Sequence, residues 1–194
     1  MAWAAAEVTF AGTASDPDGD PLTVTGLFGD GSSSTSSHPT PHVYARPGTY
    51  QVQLTAQDSR GLSATTSLTL TVLVPPSTGV TRTLPVVLDT SGAGGSHYVT
   101  ELVLTSLATT PVDVLLRFTQ ELADPIPPQY TRLTLSPGEQ RFVPNTIAFL
   151  RSRSISIPSA ATSVGTLGAT FQSVSDPSLV FAGARTFTSD PAGG

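Results

Sequence analysis

Apolar and polar residues alternate strictly through one stretch of the chain, where Tyr50, Val52, Leu54 and Ala56 are interleaved with Gln51, Gln53, Thr55 and Gln57. Successive side chains of an extended backbone point to opposite faces, so a period of two predicts a strand with one face buried and one in water. Leu68, Leu70 and Val72 repeat the pattern with Thr69 and Thr71 outside. Val8 with Phe10, and Leu22 with Val24 and Phe28, give two shorter runs. Turn-forming stretches at 15–21, 29–41, 46–48 and 58–61 separate them. Strands spaced about ten residues apart and punctuated by turns predict an antiparallel sandwich.

Composition points the same way. The chain has 194 residues with 17 Gly and 17 Pro, which supply chain reversals, and its polar surface is made mostly of Ser and Thr. Charged residues are only 12% and Lys is absent. Thr favours strands and Ser favours turns, so long helices are not expected. A net charge of -5 carried with scattered Arg excludes the clustered basic surface that nucleic acid requires. No apolar run approaches the roughly 18 residues of a membrane helix, so no membrane insertion is expected. The opening Met1–Ala6 lacks the charged start of a secretion signal, and the chain reads as a segment of something longer. With no Cys there is no disulfide and no thiolate metal site. Without Lys, an isopeptide staple to Asn is chemically impossible.

The first run of strands ends at Val74, and Pro75 and Pro76 resist both helix and central strand, which places a boundary there. In the second half, 84–88, 98–104, 112–118, 130–135, 166–171 and 180–187 are strand candidates, with a tight turn at Ser136-Pro137-Gly138-Glu139. Asn145 before an apolar turn at 147–150, followed by Arg151 and Arg153, predicts one short helix. The expected organisation is all-β: a tail at 1–6, a sandwich at 7–74, a linker at 75–80, a second sandwich with one short helix at 81–188, and a tail at 189–194.

The first half resembles a PKD domain, the immunoglobulin-like module named for polycystic kidney disease protein. The residues that carry this are Phe10, Ser15-Asp16-Pro17-Asp18-Gly19-Asp20-Pro21-Leu22, Phe28-Gly29-Asp30-Gly31, His42-Val43-Tyr44, Pro47-Gly48-Thr49-Tyr50 with Val52 and Leu54, and Asp58-Ser59-Arg60-Gly61-Leu62. One departure stands out. The family pattern carries Trp-Asp before Phe-Gly-Asp-Gly, where this chain has Gly26-Leu27. Gly26 is in phase with core positions, and an unfilled hole there costs roughly 3–5 kcal/mol, so Leu27 or Trp3 is expected to fill the space. The second half resembles an unnamed β-sandwich domain at the ends of large bacterial secreted proteins. Its pieces are Leu84-Pro85-Val86-Val87, the Gly-rich loop 91–96, Thr100-Glu101-Leu102-Val103-Leu104, Leu135-Ser136-Pro137-Gly138 and Ala184-Arg185-Thr186. That resemblance implies an extracellular or cell-surface location.

Few residues suggest chemistry. Asp16, Asp18 and Asp20 alternate like the opening of a calcium loop, and a structural Ca²⁺ held by these three is one reading. Resemblance implies the same, because some PKD domains bind calcium near this loop. The twelfth position is Leu27, so this is no EF-hand, and the other reading is that the aspartates cap a turn through backbone amides. Asp30 and Asp58 are expected to shape turns in that way. His38 and His42 are flanked by prolines that forbid the helix a zinc pair would use, and His42 is expected beside Tyr44. No Gly-x-Ser-x-Gly elbow occurs, and Ser96 and His97 are adjacent and so point apart along a strand. The loop at 92–95 has no following helix or Lys to cradle phosphate. Tyr98 and Tyr130 are the aromatic residues least committed to a core.

These features predict no catalytic residue and no enzyme activity. The expected function is a non-catalytic extracellular spacer, adhesion or assembly module of a larger bacterial secreted or surface protein. The alternative is a polysaccharide- or protein-binding accessory domain of a secreted hydrolase. Its partners are then other domains of the parent, extracellular polysaccharide or protein, or further copies joined through sheet edges that no Lys guards.

Overall fold

The computed structural model describes residues 1–35, 40–76, 78–92, 95–120, 127–158 and 162–189. The chain forms two compact units, Met1–Pro75 and Pro76–Gly194. Both are built almost wholly from strands, so the fold is all-β.

Unit 1 contains β1 (Ala2–Trp3), β2 (Glu7–Phe10), β3 (Thr23–Leu27), β4 (Ser33–Ser34), β5 (Thr40–Val43), β6 (Gly48–Gln57) and β7 (Ser63–Leu73). The larger sheet has the order β1-β7-β6-β3-β4, and β2 pairs with β5 in a second sheet. The β6/β7 hairpin is its longest ladder, running in register from Gly48↔Val72 to Gln57↔Ser63. Its inner face buries Val52, Leu70 and Val72, which are the alternating residues that predict the strand. Tyr44 and Phe28 join them in the core. Residues 1–6, expected as a tail, are part of the structure. Ala2 and Trp3 pair in parallel with Val72 and Leu73, and Ala4 is fully buried. The alanine-rich start carries no period-two pattern because docking on β7, not alternation, makes it a strand.

Unit 2 contains β8 (Gly79–Ser91), β9 (His97–Ser106), β10 (Val112–Gln120), β11 (Gln129–Leu135), β12 (Gln140–Val143), the helix α1 (Thr146–Ser152), β13 (Thr162–Gln172) and β14 (Val180–Ser189). The order is β11-β10-β13-β8-β9-β12, with β14 also on β9. Strand β9 pairs with β14 along its whole length on one edge. Its other edge takes the end of β8 at 97–99 and then β12 at 102–105. The core holds Leu102, Leu104, Val114, Leu116, Phe118, Leu135, Leu167 and Phe171. The predicted helix forms where expected, capped by Asn145 and carrying Arg151 in its last turn.

Two boundaries differ from expectation. Strand β8 begins at Gly79, inside the expected linker, because Gly79 and Val80 pair with Gln172 and Phe171. Ser189, expected in a tail, still pairs with His97. Linker residue 77, loop residues 93 and 94, and tail residues 190–194 lie outside the described residues. Strand β12 is an addition that the sequence pattern did not announce.

Candidate functional site

The acidic loop of unit 1 shapes itself. Asp16 Oδ1 accepts the Asp18 amide at 2.9 Å and the Asp20 amide at 3.1 Å, a side chain standing in for a backbone turn. The Asp18 and Asp20 carboxylates face Arg60, whose guanidinium lies 3.7 Å from one and 3.3 Å from the other. Arg60 is placed by Asp58, which accepts the amides of Arg60 and Leu62 at 2.9 and 2.8 Å. Among the described residues no group of three or more His, Cys, Asp or Glu side chains is arranged to hold a metal ion. In this structure the cation between Asp18 and Asp20 is an arginine, and Asp16 is engaged with backbone.

Asp30 sits at the centre of a cluster that has the residue types of a hydrolase. Its Oδ1 accepts the Ser32 amide at 3.1 Å and the Ser32 hydroxyl at 2.5 Å, and its Oδ2 lies 2.8 Å from His42 Nε2. Ser32 Oγ is also 3.3 Å from the same Nε2. A carboxylate only accepts, so that nitrogen carries the proton and donates it to Asp30. A nucleophile needs the opposite arrangement, with an unprotonated nitrogen facing the serine and the acid on the other side of the ring. The cluster therefore fastens loops. Burial pushes the Asp30 carboxyl up, but hydrogen bonds from Ser32 and His42 outweigh this and hold it below its ordinary value. The His42 ring stacks on Phe28 with centroids 4.1 Å apart and meets Tyr44 edge-on at 4.7 Å, so it packs beside Tyr44 as expected. Tyr44 donates to the Phe28 carbonyl at 2.9 Å. Burial and the nearby Asp30 push its phenol up to about 12, so it remains a neutral donor. His38 lies outside the described residues.

Neither Leu27 nor Trp3 fills the space beside Gly26, which corrects the expectation; the nearest side chain is Leu54, whose Cδ1 lies 4.0 Å from where a Cβ would stand. Leu27 is 46% exposed and Trp3 45%. Leu27 is one residue out of phase with Phe28 and points away, while Trp3 belongs to β1, three strands from β3 in the sheet order. A cavity of about 700 Å³ remains, walled by Phe10, Val24, Phe28, Val52, Leu54 and Leu68 and rimmed by Thr, Ser and Gln side chains.

In unit 2 the charged groups serve the frame. Asp89 receives His97 Nε2 at 2.5 Å and Asn145 Nδ2 at 3.1 Å, tying β8 to β9 and to the start of α1. Arg151 reaches the Pro158 carbonyl at 2.6 Å and Ser163 Oγ at 3.0 Å. Tyr130 is buried, contrary to its expected availability, although register sets it beside Arg117 on the face of β11 opposite to Leu133 and Leu135. Tyr98 is partly exposed, its ring lying over Gly92.

The aromatic surface lies elsewhere. Register sets Phe142 beside Val103 and Val103 beside Gly183, so all three share the outer face of the β12-β9-β14 layer. Phe181, Arg185 and Phe187 have the same parity as Gly183 and share that face. Phe142 is 58% exposed and Phe181 57%. The Phe181 ring leans over Gly183, into space a Cβ would enter. Glu101 holds Arg185 through two contacts, at 2.9 and 3.2 Å, and the Arg185 guanidinium lies 5.7 Å from the Phe187 ring centre. The parity of Arg185 is the signal that could have found this face, because a charged residue in phase with Phe181 and Phe187 marks that side as wet.

Comparison with known proteins supports the reading of unit 1. Residues 2–73 match the PKD domain family. Over 51 residues the chain is 49% identical to Collagenase ColA of Bacillus cereus, covering 26% of this chain and 5% of that protein. Over 66 residues it is 42% identical to the microbial collagenase of Vibrio alginolyticus, covering 34% of this chain and 8% of that protein. The chain thus spans a small fraction of the length of these relatives. A solved structure from work on the promiscuous specificity of carbohydrate-binding modules of the β-sandwich superfamily aligns over 96% of this chain and 90% of its own, with 14% identity and a TM-score of 0.36.

Proposed function

We propose that this chain is a non-catalytic, extracellular accessory module of a larger bacterial secreted hydrolase, and that it attaches its parent to an insoluble protein substrate. The observation that carries this reading is the PKD match at residues 2–73, shared with two collagenases of which the matched segment is only 5% and 8%. A module that recurs as so small a part of a large hydrolase suits targeting or spacing better than turnover. The groups best placed for chemistry support this, since Asp30, Ser32 and His42 are bonded so that none is free to act as base or nucleophile. The outer face bearing Phe142, Phe181 and Phe187 supplies the contact, because exposed rings on a rigid sheet bury apolar area with little ordering of side chains.

Co-sedimentation of the whole chain with fibrillar collagen, chitin and cellulose tests the proposal. Retention on collagen is expected, with loss in Phe142→Ala/Phe181→Ala. Retention on chitin or cellulose alone transfers the module to polysaccharide. Retention on none of the three leaves a spacer.

A further inference from the structure

Unit 1 is one strand short of a closed sandwich. Its larger sheet is carried by three main strands, β7, β6 and β3, while the sheet that faces it consists, among the described residues, of β2 and β5 alone. Neighbouring strands lie about 4.8 Å apart, so a strip roughly one strand wide is left uncovered. The cavity marks that strip, its lining running from 9–14 across Leu54 to 66–68. Residues 63–69 of β7 are exposed on both faces there. Leu68 has the phase of the buried Leu70 and Val72 and is nevertheless 49% exposed.

The strip is bordered by open backbone. Strand β5 takes one edge of β2, and the other edge carries no strand among the described residues. Past Phe10 the chain continues through 11–14 with no turn or bend, and with no backbone hydrogen bond among the described residues. Gly12 keeps the phase of Val8 and Phe10 and rests on Leu54, so the segment prolongs the line of β2. Unpaired N–H and C=O groups along an edge are a template for a further strand. In strand addition main-chain bonds supply the affinity, and alternate side chains of the incoming strand enter the surface beneath. Here that surface is Leu54 and Leu68, which suits an apolar residue at every second position. Charge chooses between partners. Residues 1–75 carry five Asp and one Glu against Arg46 and Arg60, so a second copy would bring like charge to the edge and a basic segment would bring opposite charge. We infer that the edge formed by β2 and 11–14 accepts an extended segment of a partner polypeptide, apolar at alternate positions and basic at its ends. This site is separate from the aromatic face of unit 2 and does not depend on its role.

Titrating the peptide acetyl-Lys-Thr-Val-Thr-Val-Thr-Val-Lys-amide into the whole chain, followed by NMR, tests this. Saturable shifts are expected at the amides of Ala11, Gly12, Thr13 and Ala14 and at the methyls of Leu54 and Leu68, with slower hydrogen exchange at the four amides. Methylating alternate amide nitrogens of the peptide should weaken binding about tenfold or more in one phase, as two lost hydrogen bonds imply, and leave it unchanged in the other. Leu68→Lys should remove the response, and Leu68→Ser should weaken it without adding charge. Amides that do not respond, an equal effect of the two methylation phases, or an equal response to the peptide with Glu in place of Lys would overturn the inference. Shifts of the same amides on concentrating the protein alone would give the edge to a second copy and overturn it as well.

Discussion

At Gly29, one hydrogen atom decides whether the Phe28-Gly29-Asp30-Gly31 turn can close. Its φ is +82°, and a Cβ would stand 2.6 Å from the Gln51 carbonyl oxygen and 3.0 Å from the Gln51 nitrogen. Both are backbone atoms of β6 and cannot swing aside. Gly29→Ala is therefore expected to destabilise unit 1 by about 2 kcal/mol or more, read from urea unfolding. The next residue sets an acid limit. Asp30 is held below its ordinary value of 3.8 by Ser32 and His42 against the effect of burial. A carboxyl whose folded pKa is depressed contributes stability above its unfolded pKa and loses it as pH falls through the folded one. Unit 1 should therefore lose stability as pH drops below about 4, and Asp30→Asn should be less stable at neutral pH with a flatter acid limb. Equal slopes for the two proteins would assign the acid loss to other groups. At the acidic loop, a calcium ion would have to displace Arg60 from Asp18 and Asp20. Melting midpoints with calcium and with chelator are expected to coincide, and a rise with calcium would mean that the ion wins this competition.

At the level of elements, the short helix shows how one side chain can hold two parts of the fold. Asn145 Oδ1 accepts the Ala148 amide at 2.9 Å, capping α1, while its Nδ2 donates to Asp89 at 3.1 Å. An aspartate in its place could cap equally well but could not donate, and it would set two carboxylates together. Asn145→Ala and Asn145→Asp should each cost about 1–2 kcal/mol in unit 2, the second losing most of its penalty as the pH is lowered. A neutral effect of the aspartate variant would show that Asp89 does not need this donor. The cap was readable in the sequence because it is local, as were β6, the end of β7 at Leu70 and Val72, and β10 apart from Leu115, where apolar residues alternate with polar ones. Strand β12 was not readable. Its four residues place Phe142 outward, so polarity does not track direction, and only the partner β9 makes it a strand. The cavity has the same cause. The resemblance shows that a large side chain is missing at Gly26, but whether neighbours close the gap depends on Phe10, Val52, Leu54 and Leu68, which other strands bring to it. The Asp30–His42 pair likewise comes together through the return of β5.

Across the whole molecule the two units differ sharply in what holds them. Among the described residues, unit 1 buries seven apolar side chains (Ala4, Ala5, Phe28, Tyr44, Val52, Leu70 and Val72), and two of these are single-methyl alanines. Unit 2 buries 23, among them three fully enclosed leucines on β9 and β10. Each buried Leu, Val or Phe contributes roughly 1.5–3 kcal/mol, so the difference far exceeds what the greater length of unit 2 requires. Every sheet draws its strands from one side of the 75/76 division, so backbone pairing does not compel the units to unfold together. Calorimetry of the whole chain should accordingly show two transitions, the lower from unit 1 and the upper from unit 2. Gly26→Trp marks the assignment: filling the cavity should raise the lower midpoint, by the equivalent of about 1–3 kcal/mol, and leave the upper one in place. A chain of residues 76–194 should retain only the upper transition. If a single transition moves as a whole with the substitution at Gly26, the two cores are coupled and the division at Pro75 is one of shape without independence of folding.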